Sequence, residues 1–444
     1  MENVILDLIA QGRYVEAGKE MVNINAVDIA QLFEEIEQTK ILVMFRMLPK
    51  DIAANVFAHM SSDLHRSIIE SMTDKEAVGI LDELHLDDAV DLLEEMPANT
   101  VKKILKNTNE ETRKLINRFL NYPEESAGSL MTIEYIDLGK EMTVKQALDH
   151  IRKTGVDKET IDTCYVLDTN RILEGVVKLR KLILSGDSAV VKDIMDTDVM
   201  FVNTHDDQED LAGLFKKYDY QVMPVVDNER RLVGIVTVDD IMDVMDREVT
   251  EDLQKMAAMH PSEKPYLKTS PLLLAQHRLP WLLILMVSAA FTGGIIKRYE
   301  NALQSVMALA SFIPMLMDTG GNAGSQSSTL IIRSLALGDM RPGDIFKVLW
   351  KELRVSAIAG TALSLVNFVR LYFLEKTDLW VSVTVCSTLF FTVVLAKVVG
   401  GSLPLIAKKV KLDPAIMAGP LITTIVDAVA LTIYFTTATW LLGL

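Results

Sequence analysis

A single carboxylate interrupts a long apolar run near the end of this 444-residue sequence. Asp427 lies inside GPLITTIVDAVALTIYF, residues 419–435. A carboxylate at the centre of a membrane helix costs about 2.5–3.5 kcal/mol on insertion scales, so its presence requires a compensating interaction. Two interpretations follow: a cation or proton site that faces a wet interior, or a hydrogen bond to a Thr or Ser of the helix bundle.

A second acid, Asp413, directly precedes Pro414 at the start of the same apolar stretch. An Asp N-cap followed by Pro at the first helical position accounts for this pair completely. The alternative is an entrance site for cations at the mouth of a pathway.

The segment DTGGNAGSQSSTLIIRSLALGD, residues 318–339, combines small residues with two amides. Close helix packing explains the small residues by itself. Asn322 and Gln326, however, share one face if the segment is helical, because they are four residues apart. Uncharged oxygens beside small residues suit a water-lined path for a hydrated hard cation. Gly320, Gly321, Asn322 and Gln326 are therefore predicted to line such a path.

Further carboxylates concentrate in the soluble part of the sequence, where oxygen-only clusters suit Mg²⁺ or Ca²⁺. No His or Cys grouping in the sequence indicates zinc. A solvated helix face would give the same pattern of acids, so both interpretations stay open. The acids are Glu209, Asp219, Asp239, Asp240, Asp243, Asp246, Glu248, Glu251 and Asp252.

The stretch GIVTVDD, residues 234–240, places Thr237 three residues before Asp240. This spacing can form a capping box at a helix start. In the CBS domain, which this part of the sequence resembles as described below, the same spacing can bind a nucleotide ribose, so Thr237 and Asp240 are also a candidate site for ATP.

These groups fall in two parts of very different composition. Residues 279–444 contain nine acids and thirteen lysines or arginines, whereas residues 1–278 carry 52 of the 61 acids and 32 of the 45 bases. The second part holds five apolar stretches long enough to cross a bilayer. They cover roughly 279–296, 303–336, 353–374, 379–406 and 415–443.

The distribution of Lys and Arg predicts the orientation of these spans. Four bases lie in the loops predicted outside: Lys297, Arg298, Arg370 and Lys376. Eleven lie on the flanks predicted inside: Lys264, Lys268, Arg278, Arg333, Arg341, Lys347, Lys351, Arg354, Lys408, Lys409 and Lys411. We therefore expect the N-terminal part in the cytosol and the C-terminus outside.

Two repeats organise the soluble part. From Pro49 the sequence divides into six blocks of twelve residues. The eighth and ninth positions are apolar pairs in the first five blocks, and the sixth gives a partial match, which predicts a small helical solenoid. The segment 165–183 then matches 224–242, with Asp168 over Asp227 and Gly175 over Gly234. Both copies, each predicted as helix, strand, strand, helix, resemble the CBS domain.

No segment offers a nucleophile with a base, a P-loop or an H-E-x-x-H motif, so we do not expect an enzyme. The two cysteines lie far apart and indicate no disulfide framework. The expected fold is multidomain: a cytosolic α-helical solenoid (1–122), an α/β tandem CBS module (123–245), a connecting helix (246–270) and an all-α transmembrane bundle of five helices (271–444).

This order of parts resembles the MgtE family of magnesium channels. Three segments carry the resemblance most specifically: PEESAGSLMT (123–132), DTGGNAGSQSSTLIIRSLALGD (318–339) and LDPAIMAGPLITTIVDAVALTIYF (412–435). The resemblance implies a homodimer in a bacterial inner membrane, with the pore between the two sets of spans. It implies no nucleic-acid partner.

The resemblance also implies roles for individual residues. Asp427 of each subunit would form the central Mg²⁺ site, Asp413 would lie toward the cytosolic entrance, and Gly419 replaces an Asn that some members carry near the pore. Bound cytosolic Mg²⁺ would neutralise a set of acids and close the channel. That set is Glu209, Asp219, Asp240, Asp243, Glu248, Glu251 and Asp252, with Asp87, Asp88 and Asp91 as candidates in the solenoid.

Two other functions remain compatible with the sequence. One is transport of another divalent cation such as Mn²⁺ or Co²⁺, because a water-mediated carboxylate site discriminates by size and hydration. The other is a membrane-anchored CBS sensor without transport, against which the polar residues at membrane depth argue. The carboxylate in the pathway likewise disfavours a CBS-regulated anion transporter.

Overall fold

The computed structural model describes residues 2–81, 83–94, 96–262 and 266–443. Lys264, one of the flanking bases counted above, lies outside the described residues. The chain divides into a first unit that ends at Val244 and a second unit that begins at Met245.

The first unit opens with short helices that begin every twelve residues. The six predicted blocks each form one helix, and the same period extends back to residue 2, where the sequence pattern is too weak to reveal it. The helices are α1 (Glu2–Ala10), α2 (Tyr14–Met21), α3 (Ala26–Glu35), α4 (Gln38–Phe45), α5 (Lys50–Ala58), α6 (Ser62–Ser71), α7 (Asp74–Leu81), α8 (Leu86–Glu94), α9 (Ala98–Asn107) and α10 (Glu110–Phe119).

Alternate helices of this solenoid pack against each other: α2 against α4, α4 against α6, and α5 against both α3 and α7. The predicted apolar pairs are the residues that this stacking buries, as Val56–Phe57, Ile68–Ile69 and Leu92–Leu93 show. Helices of eight to ten residues are marginal alone in water. Their stability therefore comes from the buried stripes that neighbouring blocks share.

The rest of the first unit is a pair of CBS-like copies. Each contains a three-stranded sheet, ordered β1-β2-β3 and β4-β5-β6, in which the first strand is parallel to the second and the third is antiparallel. The first strand of each copy was absent from the predicted pattern. The elements are α11 (Ala127–Leu130), β1 (Ile136–Gly139), α12 (Val144–Thr154), β2 (Thr163–Leu167), β3 (Leu173–Lys178), α13 (Leu179–Leu184), α14 (Val191–Ile194), β4 (Val202–Asn203), α15 (Gln208–Tyr218), β5 (Val222–Val226), β6 (Leu232–Thr237) and α16 (Val238–Met256).

The predicted alignment of the two copies agrees with their turns. Asp168 Oδ1 accepts hydrogen bonds from two backbone N–H groups of its turn, and Asp227 Oδ1 does the same in the second copy. Arg171 and Arg230 occupy equivalent left-handed positions, with φ of 64° and 65°. An Asp that binds the backbone two residues on stabilises such a turn.

The aligned glycines are required by close backbone approach. A Cβ on Gly175 would lie 2.8 Å from the Asp196 carbonyl oxygen, and one on Gly234 would lie 2.6 Å from that of Thr132. In both copies, therefore, a neighbouring segment crosses directly over the antiparallel strand pair.

Helix α16 begins in the first unit, as the last helix of the second CBS-like copy, and ends in the second unit. It starts eight residues before the predicted connecting helix, because the acids from Asp239 onward continue one helical pattern without a break. The sequence analysis predicted the end of the CBS module and the connecting helix as separate parts, whereas α16 joins them in one continuous helix.

The second unit consists of long helices. Helices α19, α21 and α22 pack together around a shared apolar core, α20 packs on α21, and α17 packs on α22. The helices are α17 (Pro271–Arg298), α18 (Glu300–Ser305), α19 (Ala308–Ala336), α20 (Ile345–Val369), α21 (Leu379–Lys409) and α22 (Gly419–Leu442). A 3₁₀ helix, Pro414–Met417, precedes α22.

Within the described residues, four segments are long and apolar enough to cross a membrane: Pro271–Arg298, Pro342–Leu374, Leu379–Lys409 and Pro414–Leu442. Helix α19 is equally long, with 29 residues, but its run of Gly, Asn, Ser and Gln makes it less apolar. The predicted multidomain, mostly helical fold class is confirmed, whereas the count of five membrane-spanning helices stays a prediction.

Three buried polar side chains join helices α19, α20 and α21. Ser327 Oγ donates a hydrogen bond to Glu352 Oε2 at 2.6 Å and accepts one from Lys397 Nζ at 3.5 Å. Glu352 is 9% exposed and Lys397 is 7% exposed. One hydroxyl thus bridges opposite charges, each of which would be costly alone in the bundle.

Replacing Glu352 with Gln is expected to lower the free energy of unfolding by about 3 kcal/mol, because the Lys397 ammonium would lose its buried countercharge. Thermal unfolding of the purified protein in detergent measures this as a lower midpoint. The double variant E352Q/K397M should recover much of the loss. Glu375→Gln, which changes a half-exposed ion pair with Arg370, is the control. Equal midpoints for E352Q and E375Q would contradict the bridge.

Candidate cation-binding sites

One candidate site lies where helix α16 ends in the second unit. Lys255 Nζ is 2.6 Å from Asp413 Oδ2 and 2.6 Å from Glu251 Oε1. Burial lowers the pKa of Lys255, but hydrogen bonds to Asp413 and Glu251 outweigh that effect and hold its pKa above the usual range of lysine. Two of the predicted metal ligands therefore already share a cation, an ammonium that the sequence analysis did not single out.

Asp413 also fulfils its predicted capping role. Its Oδ1 accepts a hydrogen bond from Ala415 N at 2.8 Å and so caps the 3₁₀ helix Pro414–Met417. Oδ1 thus fixes the backbone, while Oδ2 contacts the Lys255 ammonium. The N-cap and the cation interpretations of Asp413 are therefore compatible.

The end of α16 closely approaches the start of α22. A Cβ on Gly419 would lie 3.0 Å from the Met256 carbonyl oxygen, and Gly419 has a φ of +20°. Ser328 on α19 donates a hydrogen bond to the Met417 carbonyl at 2.8 Å. The loop before α22 is thereby held between α16 and α19. A side chain at Gly419 would push the start of α22 away from the end of α16.

Asp427 lies on α22, eight residues and about 12 Å of helix rise beyond Gly419. Its Oδ1 is buried and makes no hydrogen bond to any described residue. The predicted hydrogen bond to a Thr or Ser of the bundle is therefore not formed by this atom. The nearby Thr423 and Thr424 instead bond to backbone carbonyls of their own helix.

A polar stripe runs along α19. Asp318, Asn322 and Gln326 follow each other at intervals of four residues, and all three are exposed. The predicted common face of Asn322 and Gln326 is thus present, since the segment is helical. Asp318, which the site prediction left out although the same spacing points to it, lies near enough to Asp427 for the two carboxylates to repel each other.

The glycines of the same segment turn the other way, into the bundle. A Cβ on Gly320 would lie 2.7 Å from Thr392 Cγ2 and 2.9 Å from Val426 Cγ1, and one on Gly321 would collide with Thr423. Their packing role rests on these contacts. That Gly320 and Gly321 also line a path for cations stays a prediction.

In the first unit, predicted acids of the solenoid and of the second CBS-like copy face each other. Burial raises the pKa of Asp87 to about 8, and repulsion from Asp240 and Asp88 adds to the shift. Burial also raises the pKa of Asp240 to about 6, although a hydrogen bond from Thr237 opposes this. These carboxylates lack sufficient positive charge around them and therefore repel each other. A bound divalent cation would remove that repulsion.

The other predicted acids of the soluble part are more open. Asp243 is exposed, Glu248 and Asp252 are half-buried on α16, and Asp91 is exposed on α8. Glu209 is exposed in the first turn of α15. Asp219 closes α15 in a left-handed conformation with φ of 52°.

The candidate nucleotide residues already interact with each other. Thr237 Oγ1 donates a hydrogen bond to Asp240 Oδ2 at 2.6 Å, and Thr237 is buried. This contact lies at the start of α16 and joins two side chains, whereas the predicted capping box would bind backbone N–H groups. A ribose would have to compete with this hydrogen bond.

The first unit also contains a cluster of one histidine and two glutamates that the sequence analysis missed. His85, Glu134 and Glu159 each offer one ligand atom, and these atoms lie within 4.8 Å of one another. A hydrogen bond to Glu134 is the main cause that raises the pKa of His85 to about 9. Their separation along the chain leaves no spacing motif by which sequence could reveal them.

Models of known families match three stretches of the chain. The MgtE model, described as a divalent cation transporter, matches residues 313–437. The MgtE intracellular N domain matches residues 24–125, and the CBS domain matches residues 191–247, which is the second copy.

Similar proteins span most of the chain. The magnesium transporter MgtE of Thermus thermophilus is 38% identical over 422 residues, which cover 94% of this chain and 93% of that protein. The magnesium transporter MgtE of Bacillus subtilis is 37% identical over 326 residues, or 73% of this chain and 72% of that protein.

Solved structures resemble the N-terminal part. The cytosolic domain of the Mg²⁺ channel MgtE in complex with ATP matches 55% of this chain and all of its own length, with 35% identity and a TM-score of 0.53. The soluble part of a magnesium transporter matches 56% of this chain, with 30% identity and a TM-score of 0.52. The predicted resemblance is thus confirmed: the chain belongs to the MgtE family of divalent cation transporters.

Proposed function

We propose that the chain is a Mg²⁺-selective channel, closed by cytosolic Mg²⁺, whose permeation path includes Asp427. The observation that carries this proposal is a carboxylate oxygen of Asp427 that is buried without a hydrogen bond, close to an exposed polar stripe on α19. Ionisable residues at membrane depth face a bundle interior or a water-filled cavity. The relatives named as magnesium transporters support Mg²⁺ as the cargo.

The polar stripe supports a homodimer. Asp318, Asn322 and Gln326 do not point into the chain's own core, and exposure of such groups to lipid would be costly. A second copy that faces this stripe would enclose a polar path between the two chains. Two Asp427 carboxylates in that path would repel each other unless a divalent cation lay between them. A strongly hydrated cation such as Mg²⁺ would bind there through its waters.

Gating by cytosolic Mg²⁺ would use the acids of the first unit and of α16. Without a cation, repulsion between Asp87 and Asp240 favours separation of the solenoid from the second CBS-like copy. Bound Mg²⁺ would neutralise these acids and favour the compact arrangement. Helix α16 would transmit the change, because its end at Met256 abuts Gly419 at the start of the helix that carries Asp427.

Orientation and nucleotide binding complete the proposal. The excess of Lys and Arg on one set of flanks supports cytosolic N-terminal domains and an external C-terminus. The related cytosolic domain solved with ATP supports nucleotide binding to the CBS-like pair, with Thr237 and Asp240 as candidate ribose contacts.

Replacement of Asp427 by Asn is expected to abolish Mg²⁺ uptake, because the pathway would lose the charge that attracts the ion. Flux into liposomes that contain the purified variant measures this, and added Mn²⁺ or Co²⁺ tests competition for the path. Asp339→Asn is the matched control, since it neutralises an exposed carboxylate in the loop after α19. Uptake at the wild-type rate in D427N, with intact folding, would refute the pore assignment.

Replacement of Asn322 by Leu is expected to lower the Mg²⁺ flux at least severalfold, because an apolar side chain would exclude water from the polar stripe. Ser334→Leu makes a similar change on the same helix, about 120° around the helix axis from Asn322, and it should conduct like the wild type. Both variants are compared in the same liposome assay, with channel incorporation quantified. Equal flux in N322L and the wild type would show that the stripe is not part of the path.

The double variant D87N/D240N is expected to show a low flux even without internal Mg²⁺, and a weaker dependence on internal Mg²⁺, because its interface no longer needs a cation to close. Flux is measured at a series of internal Mg²⁺ concentrations, and protection of the solenoid from protease by Mg²⁺ is measured in parallel. Asp63→Asn, an exposed carboxylate on α6, is the control. If D87N/D240N retains the wild-type inhibition curve, these two acids are not sensors.

A further inference from the structure

His85, Glu134 and Glu159 come together from three separate segments of the first unit. His85 directly precedes α8 of the solenoid, Glu134 precedes β1, and Glu159 follows α12. His85 Nδ1 contacts Glu134 Oε2 and lies 3.3 Å from Glu159 Oε2. The cluster therefore joins the solenoid to the first CBS-like copy.

The backbones of these residues are anchored independently of their side chains. Glu159 N donates a hydrogen bond to the Glu134 carbonyl at 2.9 Å, which holds the two glutamate segments side by side. The His85 carbonyl accepts a hydrogen bond from Ala89 N at 3.0 Å, so His85 occupies the position that opens α8. Pre-positioned donors of this kind lose little freedom when a ligand binds.

The charge of the cluster exceeds what its one imidazole can balance. His85 pairs with both Glu134 and Glu159, so its one positive charge faces two carboxylates, and Asp88 and Asp239 add further negative charge around Glu159. The side chains of His85, Glu134 and Glu159 are 44%, 23% and 21% exposed, so an ion from solution can reach them. A divalent cation would supply the missing positive charge.

The donor set decides which cations fit. Mg²⁺ strongly prefers oxygen ligands, whereas imidazole nitrogen with carboxylate oxygens suits Zn²⁺, Co²⁺, Ni²⁺ and related ions. Three protein ligands also leave room for water in the remaining coordination positions. The cluster therefore differs in chemistry from the all-oxygen acids that are proposed to sense Mg²⁺.

We propose that His85, Glu134 and Glu159 form a binding site for a divalent transition-metal cation, separate from the Mg²⁺ sites. When occupied, it links the solenoid to the first CBS-like copy. The cation displaces the proton that His85 shares with Glu134, as metal binding to histidine requires. Binding does not depend on transport, so the proposal stands or falls apart from the channel assignment.

Co²⁺ is the probe, because its visible absorption reports nitrogen coordination. The full chain in detergent is titrated with Co²⁺ in an excess of Mg²⁺, which occupies the oxygen-only sites. The wild type is expected to bind one equivalent with a visible band. Each of H85Q and E159Q should weaken this binding by roughly tenfold or more, on the scale seen when metal-site residues are altered. His150→Gln, which changes a histidine outside the cluster, should bind like the wild type.

E159Q separates a metal site from a simple ion pair, because it leaves the contact between His85 and Glu134 intact. If the cluster is only that ion pair, the wild type in excess Mg²⁺ shows only the weak visible spectrum of hydrated Co²⁺, and the proposal is overturned. Equal Co²⁺ affinity in the wild type, H85Q and E159Q would also overturn it. Size-exclusion profiles identify any variant that does not fold, in which case the other variant decides.

Discussion

The cost of negative charge without a partner is the constraint on which both units depend. In the second unit it concerns Asp427, whose buried oxygen has no hydrogen-bond donor among the described residues. In the first unit it concerns Asp87 and Asp240, which repel each other while partly shielded from water. In both places the chain leaves a deficit of positive charge that a small divalent cation can fill. Deficits of this kind are what the proposed transport and sensing of a divalent cation would require.

The packing of the long helices leaves Asp427 without a positively charged partner among the described residues. Gly320 and Gly324 let α19 approach α21 and α22 so closely that side chains there would collide. Close packing on that face leaves the polar stripe, with Asn322 and Gln326, on the other face. Elsewhere in the same unit, the charges of Glu352 and Lys397 balance each other, and the hydroxyl of Ser327 bridges them. The contrast between bridged charges and the unbridged Asp427 separates structural polar groups from those available to an ion.

Sequence patterns predicted the parts that repeat or have a clear period: the twelve-residue solenoid, the paired CBS-like copies and the apolar spans. They failed where the signal is short or non-local. Strand β4 has only two residues, so it has no alternation to detect. The contact between Lys255 and Asp413 joins positions far apart in sequence, and so does the cluster around His85. Such pairs depend on tertiary packing, which a single sequence does not encode in any local pattern.

Lys255 lies where the end of α16 meets the loop before α22, which is the link that the proposed gating requires. Its ammonium already bridges Glu251 on α16 and Asp413 before α22, so these ion pairs tie the end of α16 to the start of α22. Gly419 against Met256 adds a steric contact at the same place. A rearrangement of α16 must therefore either break an ion pair or move the start of α22. Under the proposed gating, neutralisation of the first unit's acids by a cation would act on this junction, because α16 begins among them. One continuous helix is thus sufficient to carry the proposed feedback, without any relay through the other spans.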